Sequence, residues 1–342
     1  MAFTTVNKSI ANHKNVTYTG NGGSQTITGV GFTPDFVWFK SMDAGNSHAL
    51  VDSVRGTNRV LYSDSSGANQ SISAQTFNSD GFALVQDNAA NSINSNSSVK
   101  TALSWRGGTT SGLSGGTITP SSYSFNAAAG FSIIKYTGTG SAGTIPHGLG
   151  VAPEMVMVKS LNTTENWYVY FKNNGATHYQ SLDTASNSTS NSGMWNDTAP
   201  TSTLVSIGSH NGVNQNTIDF IMYCFAPVQG YCRIGRYRGN SSSNGAFIYT
   251  GFKPQTIIVK EQGSTKNWYL FQDARLGYNG GNRSYRPDIA DAEQTTSFVD
   301  FLSNGFKFRD NDSHFNAAGN EHSYIAWGQT IVGTNDVPGT AK

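Results

Sequence analysis

Charge is what this sequence has least of. Asp, Glu, Lys and Arg make up only 13% of its 342 residues, about half the usual quarter for a globular protein, and they balance to a net charge of +1. Without a basic excess there is no field to gather phosphates, so no nucleic-acid partner is expected. The arginines that do gather, Arg233, Arg236 and Arg238, alternate along one apparent strand and are expected to form a solvated edge. The two cysteines, Cys224 and Cys232, are too few for a disulfide framework, and buried free thiols are expected. No run approaches about 18 apolar residues, so no membrane insertion is expected. The opening MAFTTVNKSIANHKN holds no apolar stretch of signal-peptide length. Helical periodicity is missing over any window of about 11 residues, so helices should be short and few.

What fills the chain is Gly, Ser, Thr and Asn, and a plan repeated three times. GFTPDFVWFKS (31–41) recurs as GVAPEMVMVKS (150–160) and GFKPQTIIVKE (251–261), each a Pro followed by an apolar run that ends in Lys: Lys40, Lys159 and Lys260. Upstream stands a Tyr-x-Gly, at Tyr18, Tyr136 and Tyr237, and the step from that Tyr to Pro34, Pro153 or Pro254 is 16, 17 and 17 residues. Downstream, eight residues past each Lys, stand His48, Trp167 and Trp268, each heading an alternating segment. Every copy closes on a last strand, TALSW, FIMYCF or SYIAWG. A period of this length, registered at so many landmarks, marks repeated structural modules.

The Pro-led runs are rich in β-branched and aromatic residues and suit strands near the middle of a sheet. Pro is tolerated at a strand's first position, where its missing N–H breaks no ladder bond. In the middle copy Trp167, Val169 and Phe171 alternate with Tyr168 and Tyr170, the period of a half-buried strand. Many short strands separated by Asn/Gly/Ser turns predict an all-β fold: three tandem antiparallel β-sandwich modules of jelly-roll or lectin-like type. The expected organisation is an N-terminal arm (1–15), module 1 (16–110), a linker (111–130), module 2 (131–229), module 3 (230–334) and a C-terminal tail (335–342). The Gly/Ser/Thr-rich linker predicts that module 1 reorients freely, whereas the tight second joint packs modules 2 and 3 together.

No catalytic constellation, metal site or cofactor motif emerges, and the chain is not expected to be an enzyme. Glu321 and His322 lack a second His at ligand spacing, and Asp310, Asp312 and His314 lack the Gly and terminal Glu of a calcium loop. Asp52, Asp80, Asp273, Asp291 and Glu293 fall at positions the repeats do not share, so sequence pairs none of them as glycosidase carboxylates. Sugar-binding surfaces need exposed aromatic faces among planar polar groups. The candidates for ligand binding are Trp195, in the polar SGMWND, and Tyr278 and Tyr285, among Asn and Arg. Trp38, Trp167, Trp268 and Trp327 lie in strand patterns and are expected in the core.

The segments YTGNGGSQTITGVGFTPDFVWFK, DSVRG, FNSDGF, AAAGFSIIKYTGTG, GLGVAPEMVMVK, WNDTAPTSTLVSIG, YCFAPVQGY, FVDFLSNGF and the closing VGTNDVPGTAK resemble the tandem modules of structural proteins from marine tailed phages, many of them tail-fibre proteins. The resemblance runs along the whole chain. It implies a virion component, assembled in the host cytoplasm and released by lysis, which accounts for a secreted-looking composition without an export signal. The expected role is a tail-fibre or receptor-binding protein contacting a host surface glycan or receptor, working with other copies of itself as a homotrimer and with other phage tail or capsid proteins. The alternatives are a capsid decoration or head-fibre protein and, less favoured, a virion-borne polysaccharide depolymerase. No catalytic residues come with the resemblance.

Overall fold

The computed structural model describes Thr4, Val6 and residues 9–86, 92–274, 279, 283–296 and 299–330. Each copy of the repeat folds into a large and a small antiparallel sheet. In module 1 the large sheet takes an opening strand (His13–Thr19), the closing strand (Val99–Trp105), the Pro-led strand (Phe36–Ser41) and then Ala49–Asp52, Arg59–Tyr62 and Gln70–Ser71, in that spatial order. Module 2 repeats it with Phe131–Thr137, Asp219–Phe225, Met155–Ser160, Tyr168–Phe171, His178–Ser181 and Thr189–Ser190. Module 3 uses Cys232–Arg238, Glu321–Thr330, Phe252–Glu261, Tyr269–Gln272 and Ser284–Tyr285. The small sheets are Gln25–Ile27, Gly81–Leu84 and Thr76–Asn78 in module 1, Gly143–Pro146 and Leu204–Ile207 in module 2, and Phe247–Tyr249, Gly305–Phe308 and Val299–Leu302 in module 3. The fold is thus all-β, and its α-helices among the described residues are single turns.

The Tyr-x-Gly landmark has a physical job. The phenol hydroxyls of Tyr18, Tyr136 and Tyr237 each donate 2.6 Å to a backbone carbonyl, of Ile93, Val213 and Phe315. The next residue in each case is a buried asparagine, Asn94, Asn214 or Asn316. Its amide nitrogen donates to two carbonyls across the turn, for example Ser141 O at 2.6 Å and Gly208 O at 2.8 Å from Asn214, and its oxygen accepts a backbone N–H. The glycine is obligatory because the two chain segments nearly touch: a Cβ on Gly20, Gly138 or Gly239 would lie 2.2, 2.3 or 2.4 Å from a carbonyl oxygen. Pro34 and Pro153 precede their strands, but Pro254 lies inside its own. The ladder shifts register between Pro254 and Thr256, so a bulge absorbs the missing N–H.

Each module has its own interior between its two sheets. A fourth interior is shared, because the outer faces of all three large sheets meet in one cluster that holds Trp38, Trp105, Trp167, Phe225, Trp268 and Trp327. At its centre the last aromatics of the three closing strands touch one another edge to face, with centroids 5.2 Å apart for Trp105–Trp327, 5.1 Å for Phe225–Trp327 and 6.4 Å for Trp105–Phe225. The three modules therefore form a closed ring about a pseudo-threefold axis. Backbone hydrogen bonds run around it in one sense: Asn69 N to Leu161 O (3.1 Å), Ser188 N to Gln262 O (2.9 Å) and Glu293 N to Met42 O (3.0 Å), the three donors and the three acceptors occupying matched stations.

Side chains repeat the circuit. Trp167 Nε1 donates to Tyr62 O of module 1 at 2.9 Å, and Trp268 Nε1 to Ser181 O of module 2 at 2.8 Å. Module 1 has His48 at that station, accepting from Trp38 Nε1 at 3.1 Å and facing the Arg286 backbone. The lysines that end the Pro-led strands are all buried, and two of them hook onto the preceding module. Lys159 donates to Ser66 O (2.9 Å) as well as to Glu165 O (2.7 Å), and Lys260 to Ala185 O (3.0 Å). Burial lowers all three amines to about 8.

Three expectations change. The Tyr168–Phe171 strand is covered on both faces, with Trp167, Val169 and Phe171 in the shared interior and Tyr168 and Tyr170 in that of module 2. Module 1 is not free to reorient, because the second apolar face of its sheet is spent on the shared interior. The linker is tied down as well. Ser122–Asn126 adds a strand to the large sheet of module 2, Thr117 N and Ile118 N both donate to Thr144 O at 3.0 Å, and Ile118 is buried in the module 2 interior. The N-terminal arm docks where it is described: Val6 enters the shared interior, and His13 and Asn15, both buried, bond Thr256 Oγ1 of module 3 at 2.8 and 2.9 Å.

Candidate functional site

Two of the three aromatic residues singled out from sequence, Trp195 and Tyr285, are not surface platforms. Trp195 is 1% exposed. It ends the one-turn helix Ser192–Trp195, packs edge to face on Tyr170 with centroids 5.9 Å apart, and donates from Nε1 to His178 O at 3.0 Å. Its polar neighbours are caps: Asn191 accepts from Gly193 N, and Asn196 takes the left-handed conformation that ends the turn. Tyr285 is also 1% exposed, with its hydroxyl 3.2 Å from Glu293 Oε1. Tyr278 lies outside the described residues.

The acidic residues have structural bonds. Asp52 pairs with the buried Arg55 and accepts from Tyr223 Oη of module 2 at 2.7 Å. Asp80 accepts from Gly29 N and Gly31 N. Asp291 pairs with Arg286 and Glu293 with Arg283. Asp312 caps the helix Ser313–Asn316, and Glu321 holds Arg236 and Arg238. His322 is buried and stacked 4.9 Å from Tyr237, and burial lowers its pKa to about 4. Among the described residues no three His, Cys, Asp or Glu side chains could hold a metal ion. Cys224 and Cys232 are free and buried, as expected.

One surface that departs from the internal repeat is on module 3. Phe247 and Tyr249 point outward from the edge strand Phe247–Tyr249 and are 45% and 53% exposed, unusual for large apolar side chains here. The matched stations hold Thr26 and Thr28 in module 1 and Thr144 and Pro146 in module 2, aligned by the pairing of Ile27, Ile145 and Ile248 to the next strand. Phe247 lies across Gly305, where a Cβ would come within 2.7 Å of its ring. The Arg233 guanidinium sits 6.0 Å from the Tyr249 ring centroid. Tyr249, Arg233, Pro227, Val228 and Thr250 border a recess of about 380 Å³. An aromatic face beside a guanidinium and a shallow recess can stack on the C–H face of a sugar ring and donate to its hydroxyls.

Sequence reading missed this rim. Comparing stations across the repeats would have found it, because two adjacent outward positions turn from Thr or Pro to aromatic in one copy only.

No curated protein and no solved structure matches the chain. One family does, over residues 9–330, a span that takes in all three modules of the ring together. By that match the chain belongs to the family described as Domain of unknown function (DUF7483).

Proposed function

We propose that this chain is a bacteriophage virion protein of the tail-fibre or receptor-binding type, contacting a host surface glycan through the aromatic rim of module 3. The observation that carries the contact is the exposed Phe247–Tyr249 pair with Arg233 beside it, present in one module of three. The whole-chain resemblance to tail-fibre modules supports the setting, and the ring supplies a stiff base for the rim. One chain carries one rim, so association with further copies of itself would turn weak contacts into avid ones.

The test has two arms. Gold-labelled antibody against the chain should mark the tail tip of particles containing it; label on the capsid would favour the decoration reading instead. Purified chain should bind extracted surface polysaccharide of the host, and Tyr249→Ala with Phe247→Ala should weaken that binding about tenfold or more, each lost stacking contact being worth roughly 1 kcal/mol. Binding that ignores both substitutions removes the rim from the account.

A further inference from the structure

The ring has three seams, and pseudo-symmetry predicts that they should be sealed alike. They are not. Where module 1 meets module 2, Val54, Leu161 and Ile218 occupy three corresponding stations, and all three are packed against hydrophobic interiors. Where module 2 meets module 3, the same stations hold Asn173, Gln262 and Asn320. The correspondence is set by hydrogen bonds: Leu161 N and Gln262 N donate to Asp219 O and Glu321 O, Gly138 N and Gly239 N donate to Ile218 O and Asn320 O, and Ser53 N and Lys172 N, just before Val54 and Asn173, donate to Asp35 O and Glu154 O. At a fourth pair of stations Arg55, buried and bonded to Asn69, gives way to Asn174, bonded to Ser188 at 3.2 Å. The shorter side chains leave a cleft of about 500 Å³ at the module 2–3 seam, within the range of roughly 300–1,000 Å³ typical of small-molecule sites.

The cleft's chemistry selects a ligand class. Its two carboxylates are already engaged, Glu261 by Gly263 N, Ser264 N and Ser264 Oγ, and Glu321 by Arg236 and Arg238. Neither carboxylate is free to ligate a cation. Its unengaged groups are planar: among the described residues the neutral side-chain amides of Asn173 and Asn320 and Gln262 Oε1 have no hydrogen-bond partner, and the His178 ring is bonded only through Nδ1, to Thr177. Half-buried amides that can both donate and accept match vicinal hydroxyls, which do the same. We infer that the module 2–3 seam is a binding site for a neutral saccharide, held by Asn173, His178, Gln262 and Asn320. This site is separate from the aromatic rim and does not depend on how the chain is deployed.

The experiment uses the full chain and a panel of neutral methyl glycosides, including the N-acetylhexosaminides, with glucuronic acid as the charged comparison. Calorimetry should find at least one panel sugar binding below about 10 mM and glucuronic acid binding more weakly. The triple variant Asn173→Val, Gln262→Leu, Asn320→Ile copies the sealed seam and should weaken that binding about tenfold or more, whereas Tyr249→Ala should leave it within about twofold. If the triple variant does not fold, the wild-type chain still decides: side-chain amide resonances of Asn173 and Asn320 should shift on titration with the sugar. No panel sugar binding, binding that survives the triple variant, unmoved amide resonances, or binding lost only with Tyr249→Ala would each overturn the seam site. The last result would at the same time favour the rim.

Discussion

Replacing Phe225 with alanine tests whether three modules behave as one body. Phe225 is 2% exposed at the pseudo-threefold axis, within 5.1 Å of the Trp327 ring, 5.2 Å of Phe131 and 6.4 Å of Trp105. Phe→Ala in a core costs about 3–5 kcal/mol, and the loss of edge-to-face partners from two other modules puts this site near 4 kcal/mol. At about 2.1 cal/mol/K per residue, a 342-residue unit unfolds with an entropy near 0.7 kcal/mol/K. If the ring melts together, scanning calorimetry shows one transition that falls by about 6 °C. If each module melts alone, a third of that entropy applies, and one of several transitions falls by about 17 °C while the others stay. The closed ring predicts the first pattern, with a calorimetric enthalpy equal to the van't Hoff value. Separate transitions, or a shift confined to one of them, would refute the shared interior as the source of cooperativity.

Other outcomes follow from the same contacts. Burial raises the Asp183 carboxyl to about 6 from 3.8, so between those values the folded chain holds a proton that the unfolded chain has released. Its contribution is present below about pH 4 and lost as pH rises through 6; Asp183→Asn should flatten that slope in urea titrations at pH 4, 5 and 6. Trp195→Ala should cost about 3–5 kcal/mol by denaturant midpoint, whereas Tyr249→Ala should change stability by under about 0.5 kcal/mol, the rim being outside every interior. Burial pushes the Cys224 thiol up to about 12, and Cys232 moves in the same direction. Neither should react with a thiol reagent in native buffer at pH 8, and both should react at once in denaturant.

Much of this architecture was legible in the residues, for identifiable reasons. The Tyr-x-Gly, Pro-strand-Lys and closing-strand landmarks recur because each serves a local contact that every module needs, such as the phenol bond of Tyr18, Tyr136 and Tyr237. Ring closure was not legible. Tyr168 and Tyr170 look like a solvent face because tyrosine is amphipathic, yet both lie in an interior. The inter-module donors, Asn69, Ser188 and Glu293, act through backbone N–H groups, so their side chains share no pattern. The buried Asn94, Asn214 and Asn316 sit in loops full of other asparagines, where composition hides them. Trp195 was misplaced because cap residues and exposed loop residues are the same few polar types. The rim and the seam cleft needed the opposite reading, a search for where the copies differ.

A trimer of identical chains must accept every substitution three times over, once at each symmetry-related place. In this protein one covalent chain supplies all three sectors, so a change such as Thr to Phe at station 247 is felt once. The one-way circuit of bonds from Asn69, Ser188 and Glu293 also leaves no vacant donor or acceptor station for a fourth sector. Adding length to such a molecule therefore has to occur outside the circle, while each sector inside it is free to specialise by itself.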